Sequence, residues 1–148
     1  MRALIQRVKN ASCVVDGKEV SKIDKGLLVF VGFKNNEDPK KIDKLYKKLI
    51  GVRIFEDSNG KMNLSIKDVG GSFLVISQFT LYGDMREGLR PSFTEAMDYN
   101  LANDYYLDFT NRLSKDGYDV KLGVFGADMK INLINDGPVT IWLDSETL

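Results

Sequence analysis

The sequence predicts an α+β fold in which short, mostly antiparallel strands form a partly closed barrel and two main helices pack against them. Three observations carry this prediction. Short apolar or alternating runs recur along the chain with turn residues between them. Two segments, and only two, switch to helical spacing of their apolar residues. The 148 residues contain no linker, repeat or low-complexity tract, so one domain spans residues 1–148.

"RALIQRV" (2–8), "ASCVVD" (11–16) and "KEVSKI" (18–23) read as strands, and Asp16-Gly17 supplies a hairpin turn between the last two. "GLLVFVGF" (26–33) is apolar throughout, the pattern of a central strand buried on both faces. The period then changes. Asp38 is placed to cap a helix and Pro39 suits its first position, while Ile42, Leu45, Tyr46, Leu49 and Ile50 follow helical spacing. Lysines 40, 41, 44, 47 and 48 fall largely between these apolar positions, either as a solvated face or as a phosphate-steering patch.

"VRIFED" and "MNLSI" flank the turn "SNGK" as a further hairpin. Gly70-Gly71 precedes a second buried strand, "SFLVISQF" (72–79). Residues 80–93, "TLYGDMREGLRPSF", carry too much Gly, Pro and charge for regular structure. The second helix covers 98–116, with Leu101, Tyr105, Phe109 and Leu113 on one face and Gly117 as its stop. "DVKLGVF", "MKINLIN" and "VTIWLD" complete the roughly eight strands.

Composition narrows the chemistry. Lys plus Arg (21) cancels Asp plus Glu (21), so no global basic charge advertises nucleic acid, although a local patch is compatible with that total. Cys13 is the only cysteine, which excludes an internal disulfide and a cysteine-built zinc site; it reads as a small core residue. No segment is long and apolar enough to span a membrane, and "MRALIQRVKN" has no signal-peptide hydrophobic region, which leads us to expect a cytoplasmic protein. There is no histidine at all. That excludes a Ser-His-Asp or Cys-His triad and a histidine-held catalytic metal. We expect neither a metal nor a cofactor.

Neither G-x-G-x-x-G nor a P-loop occurs. Two stretches remain unusual. In "SQFTL" (77–81) a buried strand ends in Ser77, Gln78 and Thr80 around Phe79, where backbone N–H groups leave the ladder. The polar residues there serve either local backbone groups or a ligand. In "NDGPVTIW" (135–142) a proline sits at the seam between turn and strand chemistry, either as a rigid strand-starter or as a means of shaping carbonyls toward a ligand.

"SQFTL" followed by "RPSF" (90–93) and "NDGPVT" (135–140) closely resembles the D-aminoacyl-tRNA deacylase family. "ALIQRV", "GLLV", "RIFED", "GKMNLS" and "ADM" (127–129) match in the same order, so the resemblance spans essentially the whole chain. It implies that family's fold and a homodimeric esterase that frees D-amino acids from the 3′-terminal adenosine of mischarged tRNA. It also implies that the Gly137-Pro138 bond is cis and that its loop crosses into the partner's active site as a chirality filter. Ser77, Gln78, Phe79 and Thr80 would then form the wall that meets the adenosine and the ester, and Arg7 would brace the Gly-Pro loop. Two carbonyls aimed into a pocket would hold the substrate ammonium, leaving no room for an L side chain.

An aminoacyl ester is already activated, so placing water and stabilising an oxyanion with N–H groups near Phe79 and Thr80 suffices. Thr80 as a covalent nucleophile has no histidine partner, and help from the ribose hydroxyl of the tRNA is the favoured alternative. Two readings from other classes compete with the deacylase. One is a non-catalytic RNA-binding module; the other is a small-molecule esterase using Thr80 or Ser77.

Overall fold

A computed structural model describes residues 1–148. The elements run β1 (Arg2–Val15), β2 (Lys18–Ile23), β3 (Gly26–Gly32), α1 (Pro39–Gly51), β4 (Phe55–Glu56), β5 (Met62–Leu64), β6 (Ser72–Ser77), α2 (Tyr99–Lys115), β7 (Asp119–Leu122) and β8 (Lys130–Asp144). The main sheet has the order β2-β1-β3-β6-β7, and β8 lies along the other edge of β1. Pairs with β1 are antiparallel, whereas β3-β6 and β6-β7 are parallel. Strands β4 and β5 form a separate antiparallel ribbon.

The local predictions that rest on turn and cap chemistry hold. Asp16 and Gly17 both take positive φ (50° and 74°), as a tight hairpin requires. Asp38 caps α1 by accepting from the Lys40 amide at 2.9 Å. Asp98 caps α2, and Gly117 (φ 90°) follows its end.

Several boundaries differ from the sequence reading, and the hairpin read over "VRIFED" and "MNLSI" shortens to Phe55–Glu56 and Met62–Leu64. Runs 2–8 and 11–16 are a single strand, because β8 pairs alongside the polar step between them, with Val8 opposite Asn135 and Asn10 opposite Ile134. Runs 129–135 and 139–144 are likewise one element, β8, interrupted by a bulge. The strand predicted to reach Phe79 ends at Ser77, and residues Phe79–Tyr82 form one turn of 3₁₀ helix where no regular structure is expected. The strand predicted over 119–125 stops at Leu122. In α2 the buried stripe is Tyr106, Phe109, Thr110 and Leu113, and Leu101 is exposed; the first turn overhangs a cavity instead of the core.

The sheet separates two cores, and alternation along its central strands assigns them. Leu27, Val29 and Val31 of β3, with Phe73 and Val75 of β6, pack with Leu45, Tyr46 and Leu49 of α1 and Tyr106, Phe109 and Leu113 of α2. Leu28, Leu74 and Ile76 point the other way, toward Ala11 and Cys13. The first half of β8 closes over this second core with Ile131 and Leu133, while Ile141 and Leu143 of its second half join the helix-side core. Strand β8 thus curls the sheet into a nearly closed barrel. The buried Tyr106 hydroxyl donates to the Val75 carbonyl at 2.7 Å, tying α2 to the centre of the sheet, and burial pushes its pKa up to about 12.

At the start of β3 the backbone approaches β6 so closely that a Cβ on Gly26 would overlap the Ser72 carbonyl. Gly26→Ala is therefore expected to destabilise the protein by at least about 3 kcal/mol, at the upper end of overpacking costs, measured by urea unfolding.

Candidate active site

Strand β6 is buried from Phe73 to Ile76 and ends at the half-buried Ser77 opposite Val31 of β3, with the next residue, Gln78, packed close to Gly32. The chain then turns sharply: Gln78 donates its amide to the Val31 carbonyl at 2.7 Å, and Phe79 and Thr80 open the 3₁₀ turn. As the first residues of that turn, their N–H groups have no partner within it. The Gln78 side-chain amide bonds to the Thr80 hydroxyl. Phe79 is 55% exposed, an unusual state for a phenyl ring, and lies edge-to-face against Phe93 at 5.1 Å between centroids.

Ser77, Gln78 and Phe79 line a cavity of about 490 Å³. Its other walls come from the start of α2 (Tyr99, Ala102), the segment before it (Met97), and the turn from Phe125 to Met129. Tyr99 and Phe125 meet edge-to-face at 5.0 Å. The cavity is lined mostly by apolar residues, with Ser77 and Gln78 at the β6 end and Asp128 on the Phe125–Met129 turn, the composition of a site that holds a flat organic group and orients its attachments. Thr80 is not part of its lining; it stands at the edge, joined to Gln78. Periodicity does not single out Tyr99, Phe125 or Met129, because the start of α2 and the Phe125–Met129 turn are distant from β6 in the chain and meet it only in the folded sheet; Met129 carries a signal only as part of the "ADM" match.

The second sequence-predicted cluster lies elsewhere on the chain. Along the β1–β8 pairing, Val8 stands opposite Asn135 and Gln6 opposite Thr140, so residues 136–139 bulge out against the single residue Arg7. The Gly137-Pro138 bond within this bulge is cis. Both residues are exposed, whereas Val139 turns inward and is 5% exposed. The bulge is held from both sides. Arg7, itself 5% exposed, donates from Nε to the Asp136 carbonyl (2.8 Å) and from Nη1 to the Ile54 carbonyl (2.7 Å), with the Glu56 and Asp136 carboxylates each 4.0 Å away. Across the loop, the Asn135 side chain accepts from the Val139 amide (2.8 Å) and donates to the Thr140 hydroxyl (2.9 Å). Asn135 and Thr140 are supports that the sequence reading missed, although the Asn at the start of a Gly-Pro turn was a signal for side-chain-to-backbone bonding.

Gly137 has φ of 138°, and a Cβ there would sit 2.9 Å from Arg7 Nη2 and 2.8 Å from Val139 Cγ2. The position therefore demands glycine. The structure brings Ser77, Gln78, Phe79 and Thr80 together, and brings Arg7, Gly137 and Pro138 together. It does not join the two groups within one chain: none of Arg7, Gly137 and Pro138 lines the cavity.

A nearly closed α+β barrel with a cavity at the end of its parallel strand pair defines the class, and the comparisons agree. The family model described as D-Tyr-tRNA(Tyr) deacylase matches residues 4–144, and the chain belongs to that family. Its curated relatives are D-aminoacyl-tRNA deacylases. That of Thermosipho africanus is 50% identical over 99% of this chain and 98% of its own. That of Dictyoglomus turgidum is 52% identical over 100% of this chain and 95% of its own. A solved structure described as c-Myc DNA Unwinding Element Binding Protein superposes with a TM-score of 0.92 at 37% identity, covering 97% of this chain and 98% of that one.

Removing the brace tests its importance directly. Arg7→Ala leaves the part-buried Asp136 carbonyl and the buried Ile54 carbonyl without their donors and is expected to cost about 3 kcal/mol. Arg7→Lys, which lacks the planar fork, should recover only part of this, measured by urea unfolding of both variants.

Proposed function

We propose that this protein hydrolyses the ester bond of D-aminoacyl-tRNA, releasing the free D-amino acid and the tRNA. The observation that carries the reading is the half-exposed Phe79 ring beside Ser77 and Gln78 at the β6 end of a mostly apolar cavity, in a chain of the deacylase family. An aromatic face at a cavity mouth suits stacking with an unpaired base, here the 3′-terminal adenine. Ser77 and Gln78 then meet the ribose and the ester, and the N–H groups of Phe79 and Thr80 stabilise the tetrahedral oxyanion.

The working form is a homodimer in which the Gly137-Pro138 loop of one protomer enters the cavity of the other. What favours this is that the loop is exposed, rigidly supported by Arg7 and Asn135, and absent from its own chain's cavity. The backbone carbonyls of the loop receive the substrate α-ammonium, and the backbone itself fills the direction that an L side chain would take. Such a wall discriminates more sharply than an apolar pocket, where one methylene contributes only about 1–3 kcal/mol. It never inspects the accepted side chain, so many D-amino acids qualify, and glycine passes too. The enzyme works in the cytoplasm, where aminoacyl-tRNAs are made and used.

With no histidine, the chemistry depends on an activated ester, a positioned water and donors that need no titration. The vicinal ribose hydroxyl of the tRNA orients or activates the water, and Thr80 forms no covalent intermediate. Thr80 bonds to Gln78 and has no general base beside it.

Release of labelled amino acid from D-tyrosyl-, L-tyrosyl- and glycyl-tRNA tests the reading. The D and glycyl substrates are expected to turn over and the L substrate to persist; release from all three, or from none, overturns it. Thr80→Ala is expected to keep at least a tenth of wild-type turnover, whereas loss of a covalent nucleophile costs roughly 10⁴-fold or more. A substrate ending in 2′-deoxyadenosine is expected to resist hydrolysis, as measured by the same release.

A further inference from the structure

We infer that the exposed face of α1 is a phosphate-binding stripe for the duplex part of the tRNA, formed by Lys40, Lys44 and Lys48. This inference rests on the deacylase reading above and extends it from the 3′ end to the body of the substrate.

Charge in this chain is balanced overall but not locally. Helix α1 carries five lysines and one acid, Asp43. Asp43 is engaged on both oxygens, by Lys47 and by Arg112 of α2, each at 2.7 Å. Glu146 binds Lys41 at 2.7 Å and Lys34 at 3.1 Å. The Asp38 carboxylate caps the Lys40 backbone amide. Lys40, Lys44 and Lys48 are all exposed and form no ion pair. The β1–β2 hairpin is different: there Lys18, Lys22 and Lys25 alternate with Asp16, Glu19 and Asp24.

The pattern mostly opposes the helix, although Lys48 in the last turn suits its dipole. Like charges at i,i+4 each oppose helix formation. Lys40 lies in the first turn, where the helix dipole disfavours a cation. A face kept merely soluble would be served better by mixed signs. Successive lysines are about 6 Å apart along the axis, of the order of the separation between neighbouring phosphates on one strand.

The position also suits the substrate. Ala102 lines the cavity and Arg112, ten residues further along α2, bonds to Asp43 of α1. The first turns of α1 are therefore about 15 Å from the cavity along the α2 axis. The unpaired 3′ end of a tRNA spans a gap of that order before its duplex begins. An RNA whose terminal adenosine is in the cavity would reach α1 with its first paired phosphates.

The test compares full tRNA with a substrate that lacks the duplex. In K40Q/K44Q/K48Q, KM for D-tyrosyl-tRNA is expected to rise about tenfold or more with kcat unchanged, while turnover of D-tyrosyl-adenosine stays at the wild-type level. Affinity for uncharged tRNA, measured by filter binding, should fall by a similar factor, and the slope of log affinity against log salt should become shallower by about 2. The matched variant K9Q/K18Q/K22Q should leave all of these unchanged. The uncharged-tRNA arm reads the stripe even if no ester is cleaved, so it separates failure of this inference from failure of the deacylase reading. Equal effects of the two triple variants, equal loss on both substrates, unchanged binding of tRNA, or a change in sedimentation that marks the stripe as an interface between copies would overturn the proposal. Circular dichroism of each variant, together with the milder K44Q/K48Q, keeps the comparison among folded proteins.

Discussion

One buried guanidinium holds the architecture at its least regular point. Strand β8 cannot run straight along β1, because its first half closes one core and its second half closes the other. The change is made by bulging residues 136–139 opposite Arg7, which leaves backbone groups in that stretch without ladder partners. Arg7 supplies the missing donor for Asp136 and reaches Ile54, just beyond α1, with its other arm. A lysine has neither the planar fork nor the reach in two directions. The same contact thus joins the curl of the sheet, the end of α1 and the exposed Gly137-Pro138 turn.

The cavity shows a complementary economy. The polar groups it takes from the end of β6 are a hydroxyl, a carboxamide and free backbone amides, beside an aromatic ring that the fold leaves half exposed. Such groups carry no proton that titrates near neutrality, which fits a substrate whose ester is already reactive and a chain without histidine. The parallel pairing of β3 and β6 matters here. It brings the C-terminal ends of both strands to the same rim, where Gly32 gives the Ser77–Gln78 turn room to approach.

Two candidate parts of the site thus stand on opposite supports: a cavity rim on β6 and α2, and a braced turn on β8. A single chain keeps them apart, and the reading of a homodimer follows from that separation. The unequal distribution of lysine between α1 and the rest of the surface belongs to the same view of the molecule, as a scaffold presenting several surfaces to one long substrate.

Much of this was legible in the residues because local chemistry decided it. Asp16-Gly17, the Asp38-Pro39 cap, the apolar run of β3 and the stop at Gly117 each follow from backbone preferences and short-range hydrogen bonds, and all formed as read. The motifs "SQFTL" and "NDGPVT" stand out because each breaks the local pattern around it, but only the resemblance to the deacylase family reads them as candidate parts of one site. What the sequence could not decide was which segments share a partner. The continuity of β1 across Lys9 and Asn10, the union of two runs into β8, and the meeting of Tyr99, Phe125 and Met129 around Phe79 depend on pairing between residues far apart in the chain. Periodicity records which face of a segment is apolar; only the packed sheet determines what that face meets.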